Sequence, residues 1–186
     1  TSMTLEQKNT CIMCRAKLVA GGSKEEIERF RKWAKKGKAW AMVALAGSYE
    51  DGVGVKQSFK KAIELYEMAA TRGNAGAQYN LGQYYRQGTL GVTQSSEKSI
   101  EYYTLAAEQG DADAQYALGY MYEKGDGIGQ SDKKAIELYE MAAKNGDANA
   151  QYTLGFDYDQ GILGLTQSDQ RAIEYYILAA EQGLAG

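Results

Sequence analysis

The stretch Ala112-Asp-Ala-Gln-Tyr-Ala-Leu-Gly-Tyr-Met-Tyr122 decides the fold, because the chain repeats it. Close copies occupy residues 75–85 and 148–158, and a weaker copy occupies residues 39–49. Its leucine recurs at intervals of 36, 37 and 36 residues, as Leu45, Leu81, Leu118 and Leu154. An isoleucine after each copy keeps the same period, as Ile63, Ile100, Ile136 and Ile173. A fixed period in this range predicts a repeat array in which neighbouring units bury a continuous core.

Each repeat is predicted to consist of two helices joined by a glycine-containing loop. The first helices are expected near residues 39–50, 75–87, 112–124 and 148–160, and the second helices near 58–72, 95–109, 131–145 and 168–182. Serine is a good N-cap, and the second helices follow Ser58, Ser95, Ser131 and Ser168. Glycine commonly ends a helix, and these helices lead into Gly73, Gly110, Gly146 and Gly183. Repeats one to four therefore span residues 39–74, 75–111, 112–147 and 148–183.

The segments outside the four repeats are predicted to differ from them. Residues 1–22 lack helical periodicity and are expected to be irregular. Residues 23–38 are expected to form a capping helix, since they align with the second helix of repeat one after a shift of 36 residues. This helix is rich in lysine and arginine, and it is interpreted either as a solvated cap or as a docking strip for an acidic partner or nucleic acid. Residues 184–186 would begin a further, truncated repeat.

A glycine stands in the middle of three first helices, as Gly82, Gly119 and Gly155, and Ala46 replaces it in repeat one. Glycine inside a helix costs about 1 kcal/mol relative to alanine. We therefore expect a neighbouring helix to pass too closely for a larger side chain. The recurring glutamines are interpreted as structural hydrogen-bonding groups; they are Gln78, Gln115 and Gln151.

The composition argues against several classes of function. The 186 residues include no histidine, the commonest general base and metal ligand. Asp157 and Asp159 stand two apart, on different helix faces, and do not form a convincing acid/base pair. The net charge of −3 divides into +6 over residues 1–40 and −9 over residues 41–186, so an acidic array opposes a nucleic-acid groove. No apolar run approaches the roughly 20 residues that cross a bilayer. No catalytic residue and no cofactor is predicted.

The pattern Ala-x-Ala-x-x-x-Leu-Gly-x-x-Tyr, then a glycine-containing loop, Ala-Ile-x-x-Tyr and Ala-Ala-x-x-Gly, resembles the Sel-one-like repeat, a relative of the tetratricopeptide repeat. The resemblance covers about residues 39–183, and repeat one departs from it at Ala46, where glycine is usual. It implies an all-α fold, a right-handed α/α solenoid of helix-turn-helix repeats. It also implies a non-catalytic scaffold or adaptor that binds other proteins on a concave surface.

By the same resemblance, the concave surface would carry the side chains around the packing Leu-Gly pair of each first helix. In repeats two to four these are Tyr79, Gln83 and Arg86, then Tyr116, Tyr120 and Glu123, then Tyr152, Phe156 and Asp159. Repeat one offers Trp40, Val43 and Glu50. The tyrosines at 79, 116 and 152 recur and are equally interpreted as structural. The six residues of repeats two to four that do not recur are the better candidates for binding an extended or helical peptide.

The stretch Cys11-Ile-Met-Cys14-Arg15 resembles the last ligand pair of a RING finger, with Ile12 where proline is usual. A structural zinc site needs four ligands, so Cys11 and Cys14 would bind zinc only within a longer parent protein. An inert pair and a redox pair are the alternatives. The resemblance leads to a second hypothesis, the substrate-recruiting part of a RING-type ubiquitin ligase. Two cysteines favour a reducing compartment, the cytoplasm or the nucleus. The ends of the array are expected to allow end-to-end self-association.

Overall fold

The structure, a computed structural model, describes residues 22–183, and every regular element in that range is an α-helix. In chain order the helices are α1 Lys24–Lys35, α2 Ala39–Asp51, α3 Phe59–Ala70, α4 Ala75–Gln87, α5 Ser96–Glu108, α6 Ala112–Lys124, α7 Asp132–Lys144, α8 Ala148–Gln160 and α9 Asp169–Glu181. Helix α1 lies in the segment predicted to be a capping helix, and that role stays a prediction; the following pairs are repeats one to four. The predicted all-α repeat solenoid is confirmed, and the ends of the repeat helices lie within two residues of those expected. The helix predicted over residues 23–38 spans Lys24–Lys35.

The predictions for residues 1–21 and 184–186 lie outside the described residues. They include the Cys11 and Cys14 pair and the ubiquitin-ligase hypothesis that depends on it, which stay predictions. The remaining chain divides into two compact units. Within the described range, the first unit contains residues 22–81 and 89–92, and the second contains residues 82–88 and 93–183.

Caps mark the helix ends. The side-chain oxygens of Ser58, Ser95, Ser131 and Ser168 accept the backbone N–H three residues further on at 3.3–3.5 Å, which confirms the serine caps. The predicted glycine stops are also confirmed, because Gly73, Gly110, Gly146 and Gly183 adopt left-handed φ angles between 76° and 90°. Gly37 follows α1 with a φ angle of 78° in the same way. Three further caps were not predicted: Asn74, Asp111 and Asp147 cap the first helices of repeats two to four.

The mid-helix glycines let two helices of the same repeat touch. A Cβ atom added to Gly119 would lie 2.8 Å from a ring carbon of Tyr139 on α7. Added Cβ atoms on Gly82 and Gly155 would lie 2.6 Å and 2.8 Å from Tyr103 and Tyr176. Real Cβ atoms do not approach other atoms so closely, so the expectation of a tight crossing is confirmed.

The recurring glutamines join one repeat to the next. Within the second unit, the buried Gln115 donates to the carbonyl oxygen of Ala107 at 3.0 Å, and Gln151 donates to that of Ala143 at 3.0 Å. Their side-chain oxygens accept from Asn145 at 2.9 Å and from Gln182 at 2.7 Å. These two carbonyls also accept the backbone N–H groups of Gly110 and Gly146, so each glutamine adds a second donor at the end of the preceding helix. The predicted structural role of these side chains is confirmed.

The first unit carries the basic capping helix. Within it, Arg29 and Arg31 pair with Glu26 and Glu28 one turn earlier. Trp33 of α1 lies against Trp40 of α2 with ring centroids 6.2 Å apart, and the ammonium group of Lys36 lies 4.8 Å from the centroid of Trp33. The interpretation of α1 as a docking strip for an acidic partner or nucleic acid stays a prediction.

Candidate functional site

The site residues predicted for repeats two to four divide between the units. Tyr79 lies in the first unit, and its role in binding stays a prediction. The other eight lie in the second unit, on the end of α4 and on the first helices α6 and α8. We call this set the first-helix face; it consists of Gln83, Arg86, Tyr116, Tyr120, Glu123, Tyr152, Phe156 and Asp159.

The two recurring tyrosines of the first-helix face pack within their own repeats. The ring centroid of Tyr116 lies 5.4 Å from that of Tyr139, and the ring centroid of Tyr152 lies 5.5 Å from that of Tyr176. Both second-helix tyrosines are the ones that contact the mid-helix glycines. Tyr116 and Tyr152 therefore have a structural contact, and 41% of Tyr152 remains exposed.

Glu123 is held by its own repeat. Its Oε2 atom accepts a hydrogen bond of 2.7 Å from the hydroxyl of Tyr139, and its Oε1 atom accepts one from the ammonium group of Lys124. Burial and the neighbouring Glu123 carboxylate raise the pKa of Tyr139. In repeat one, Glu50 accepts a bond of 2.9 Å from Tyr66 in the same way. Glu50 and Glu123 thus have a structural role in repeats one and three.

Tyr120 is flanked by two cations. The guanidinium carbon of Arg86 lies 5.3 Å from its ring centroid, and the ammonium nitrogen of Lys124 lies 5.6 Å from it. Arg86 also pairs with Asp126, with 3.6 Å between Nε and Oδ2. Cations within about 6 Å of an aromatic face are attracted by the ring. The ring of Tyr120 thus packs against the chain's own Arg86 and Lys124.

Phe156 is the most exposed residue of the first-helix face, with 45% of its surface accessible. The same register position holds Tyr120, Gln83 and Gly47 in the other repeats, so the fold does not require an aromatic ring there. Neighbouring Asp159 accepts a hydrogen bond of 2.7 Å from Gln160.

Asp157 was missed as a candidate. It is 3% exposed, and its Oδ2 atom has no hydrogen-bond partner within the described chain. Burial raises its pKa to about 6, and the nearby Glu123 carboxylate adds to this effect, while Lys124 opposes it. The repeat alignment contains the signal, because a shift of 36 residues places Asp157 on Met121, which is fully buried.

Residues 22–183 contain neither a cluster of metal-ligating side chains nor a membrane-spanning helix. No three histidine, cysteine, aspartate or glutamate side chains in this range are grouped so that they could hold a metal ion. None of the helices described is long and apolar enough to cross a membrane.

The family model of the Sel1 repeat matches residues 41–74, 75–111, 112–147 and 148–184. This chain belongs to the Sel1 repeat family. Sel1 repeat proteins are generally non-catalytic scaffolds for protein interactions. The match confirms the resemblance on which the fold was predicted. No curated protein matches the chain.

Solved Sel1 structures are similar to the chain. A Sel1 repeat protein from Oxalobacter formigenes is 34% identical with a TM-score of 0.81, over 86% of this chain and 64% of that protein. A protective antigen of uropathogenic Escherichia coli with an SLR fold is 34% identical with a TM-score of 0.77, over 86% of this chain and 34% of that protein. Cysteine rich protein B of Helicobacter pylori shares the fold at 22% identity, with a TM-score of 0.55, over 68% of this chain and 90% of that protein. The chain therefore spans less than two thirds of the first two relatives.

Proposed function

We propose that the chain is a protein-interaction scaffold whose second unit binds a partner peptide or protein through the first-helix face. The exposed ring of Phe156 carries the proposal. It stands at a position where the other repeats hold Tyr120, Gln83 and Gly47, and nearly half of it is accessible. An aromatic side chain that the repeat does not require for packing, placed among charged groups, has the composition of an interaction hot spot.

The charges of the first-helix face support a peptide as the partner. Tyr120 and Phe156 offer apolar contact area. Arg86 and Asp159 lie near the C-terminal ends of α4 and α8 and offer ionic contacts. Peptides that bind helical grooves combine apolar anchors with such charged contacts. The general scaffold role of Sel1 repeat proteins agrees with this proposal.

The proposal predicts the effect of Tyr120→Ala combined with Phe156→Ala. Proteins captured by the wild-type chain from a lysate are compared quantitatively with those captured by the double variant. We expect a specific set to be lost from the double variant, because its two anchors are removed, while the helicity measured by circular dichroism is unchanged.

A matched control removes two exposed apolar side chains from second helices of the same unit. Leu105 and Met141 are 40% and 47% exposed, and they lie outside the first-helix face. The Leu105→Ala and Met141→Ala double variant should keep the captured set. If the control loses the same proteins as the anchor variant, or if the anchor variant keeps them, the interface lies elsewhere.

A further inference from the structure

The turn between α7 and α8 contains Asn145 followed by Gly146, and no other asparagine in the sequence precedes a glycine. Both residues are exposed to solvent. The backbone nitrogen of the next residue can attack an asparagine amide, and glycine, which has no side chain, hinders that attack least. The other three repeats hold Arg72, Gln109 and Gln182 at the equivalent position. An arginine cannot react in this way, and a glutamine must form a larger, less favourable ring.

Two hydrogen bonds hold the side chain of Asn145 in the folded turn. Its Nδ2 atom donates to the carbonyl oxygen of Gly110 at 3.3 Å and to Oε1 of Gln115 at 2.9 Å. Gln115 is buried, and its own amide nitrogen donates to the carbonyl oxygen of Ala107 at 3.0 Å. The nitrogen that deamidation would release is therefore the donor that ties the end of α7 to the preceding turn.

The backbone of Asn145 also has the wrong conformation for the attack. Closing the ring requires the nitrogen of Gly146 to be eclipsed with Cβ of Asn145 about the Cα–C bond. Asn145 has a φ angle of −83° and a ψ angle of 5°, so the Gly146 nitrogen is eclipsed with the backbone nitrogen of Asn145 instead. Rotating ψ would break the bonds from the N–H groups of Gly146 and Asp147 to Ala143 and Ala142, at 3.1 Å and 2.9 Å. The reaction therefore requires a local opening of the turn.

We propose that Asn145 is a deamidation site that the folded turn protects, and that its conversion prevents this junction from re-forming. When the turn opens, the nitrogen of Gly146 bonds to Cγ of Asn145 and the Cγ–Nδ2 bond breaks. The amide group leaves as ammonia, which carries away the proton of the Gly146 nitrogen. Water then opens the cyclic imide at either of its carbonyl groups, giving aspartate or isoaspartate.

The product cannot make the contacts of the amide that it replaces. An ionised carboxylate only accepts hydrogen bonds, and both present partners of Asn145, the carbonyl of Gly110 and Oε1 of Gln115, are acceptors as well. If Gln115 turned its amide group to donate to the carboxylate, its oxygen would face the carbonyl oxygen of Ala107. Isoaspartate would also lengthen the backbone of the turn. Each arrangement places acceptors against acceptors, so the converted chain keeps a weakened junction.

The test follows residue 145 of the full chain by peptide mass spectrometry during incubation at mildly alkaline pH, with and without urea. The urea-unfolded chain should convert Asn145 faster than Asn80 or Asn149, which precede leucine and alanine. A modification that requires opening follows the population of the open form when closing is fast. The folded chain should therefore convert at least about tenfold more slowly, which corresponds to an opening free energy of about 1.4 kcal/mol.

Matched variants separate protection from consequence. Gln115→Leu should speed conversion in the folded chain, since it removes one bond to Nδ2, and the exposed Gln170→Leu should not. Circular dichroism verifies folding; if Gln115→Leu unfolds, wild type in urea below its transition replaces it, and conversion should quicken with urea. Asn145→Asp should lower the thermal unfolding midpoint. Asn149→Asp, the same change in the exposed first turn of α8, should not, because a helix N-terminus favours negative charge.

Asn145→Gln should end conversion at this residue and keep the junction, because Gln182 at the equivalent position donates to Gln151 at 2.7 Å. The proposal would be overturned if Asn145 stayed intact in urea, if the folded and unfolded chains converted equally fast, or if loosening the turn left the rate unchanged. Equal stability of the Asn145→Asp and Asn149→Asp variants would overturn the predicted consequence. These outcomes are independent of the scaffold proposal, because Asn145 is not part of the first-helix face.

Discussion

Gly119 and Tyr139 show how one residue position sets the distance between two helices. The ring of Tyr139 occupies the space that a side chain at position 119 would need. Tyr139 is fully buried, so its ring can shift only if the surrounding side chains also move. Overpacking of this kind typically costs about 1–3 kcal/mol.

Gly119→Ala is therefore expected to lower the free energy of unfolding by about 1–3 kcal/mol, although alanine is the better helix former. Gly76→Ala is the matched control within a first helix, because the nearest atom to its added Cβ, the side-chain oxygen of Asn74, is 3.6 Å away. That variant should be neutral or more stable by about 0.5 kcal/mol. Thermal unfolding checks both, and equal effects of the two substitutions would contradict the packing argument.

The sequence predicts that a glycine is needed at position 119 and its equivalents, but it does not predict which side chain packs against that glycine. Recurrence at a costly helix position indicates a close contact, whereas the identity of Tyr139 depends on how two helices cross. Asp157 was missed because its position was judged from helix faces alone. Its alignment with the apolar Met121 of repeat three is the sequence signal that this position can lie in the core.

At the scale of the element, the helix ends determine how repeats join. Serine caps and glycine stops are local patterns, so the sequence predicts them well. Gln115 and Gln151 were predicted as structural groups, yet their acceptors belong to the preceding second helix. This pairing depends on how one repeat stacks on the next, and the sequence pattern of a single helix does not specify that stacking.

Gln115→Leu should destabilise the second unit by about 2 kcal/mol, because it removes the two hydrogen bonds that the buried Gln115 makes with the carbonyl of Ala107 and the amide of Asn145. Each of these groups then keeps only its bond to the backbone of Gly110. Gln170→Leu is the control, since the exposed amide of Gln170 bonds only Glu174 on the same helix at 3.2 Å. Urea unfolding measures both variants. A Gln115→Leu chain as stable as the Gln170→Leu chain would show that water satisfies the junction.

For the whole molecule, the position of a helix in the array decides how well it is protected. Helix α7 packs against α6 and α8, whereas α9 packs mainly against α8. The outward face of α9 leaves Ile173 and Ile177 57% and 53% exposed. Local openings need least free energy where few contacts are broken.

Amide hydrogen exchange of these 186 residues should therefore be faster in α9 than in α7. Tyr139→Phe should speed amide exchange in α7, since it removes the hydrogen bond from Tyr139 to Glu123. Tyr176→Phe should change the exchange of α7 little. Equal protection of α7 and α9 would mean that another molecule covers α9 in solution. That result would support the predicted end-to-end self-association, and light scattering would then give the stoichiometry.

The contact between Trp33 and Trp40 has a practical consequence. These two residues are the only tryptophans of the chain, and both lie in the first unit. Selective excitation of indole fluorescence therefore reports that unit alone, while the far-ultraviolet signal averages over every helix. Coincident melting curves from the two signals would indicate one cooperative transition along the array, and separated curves would locate the weaker end without any added label.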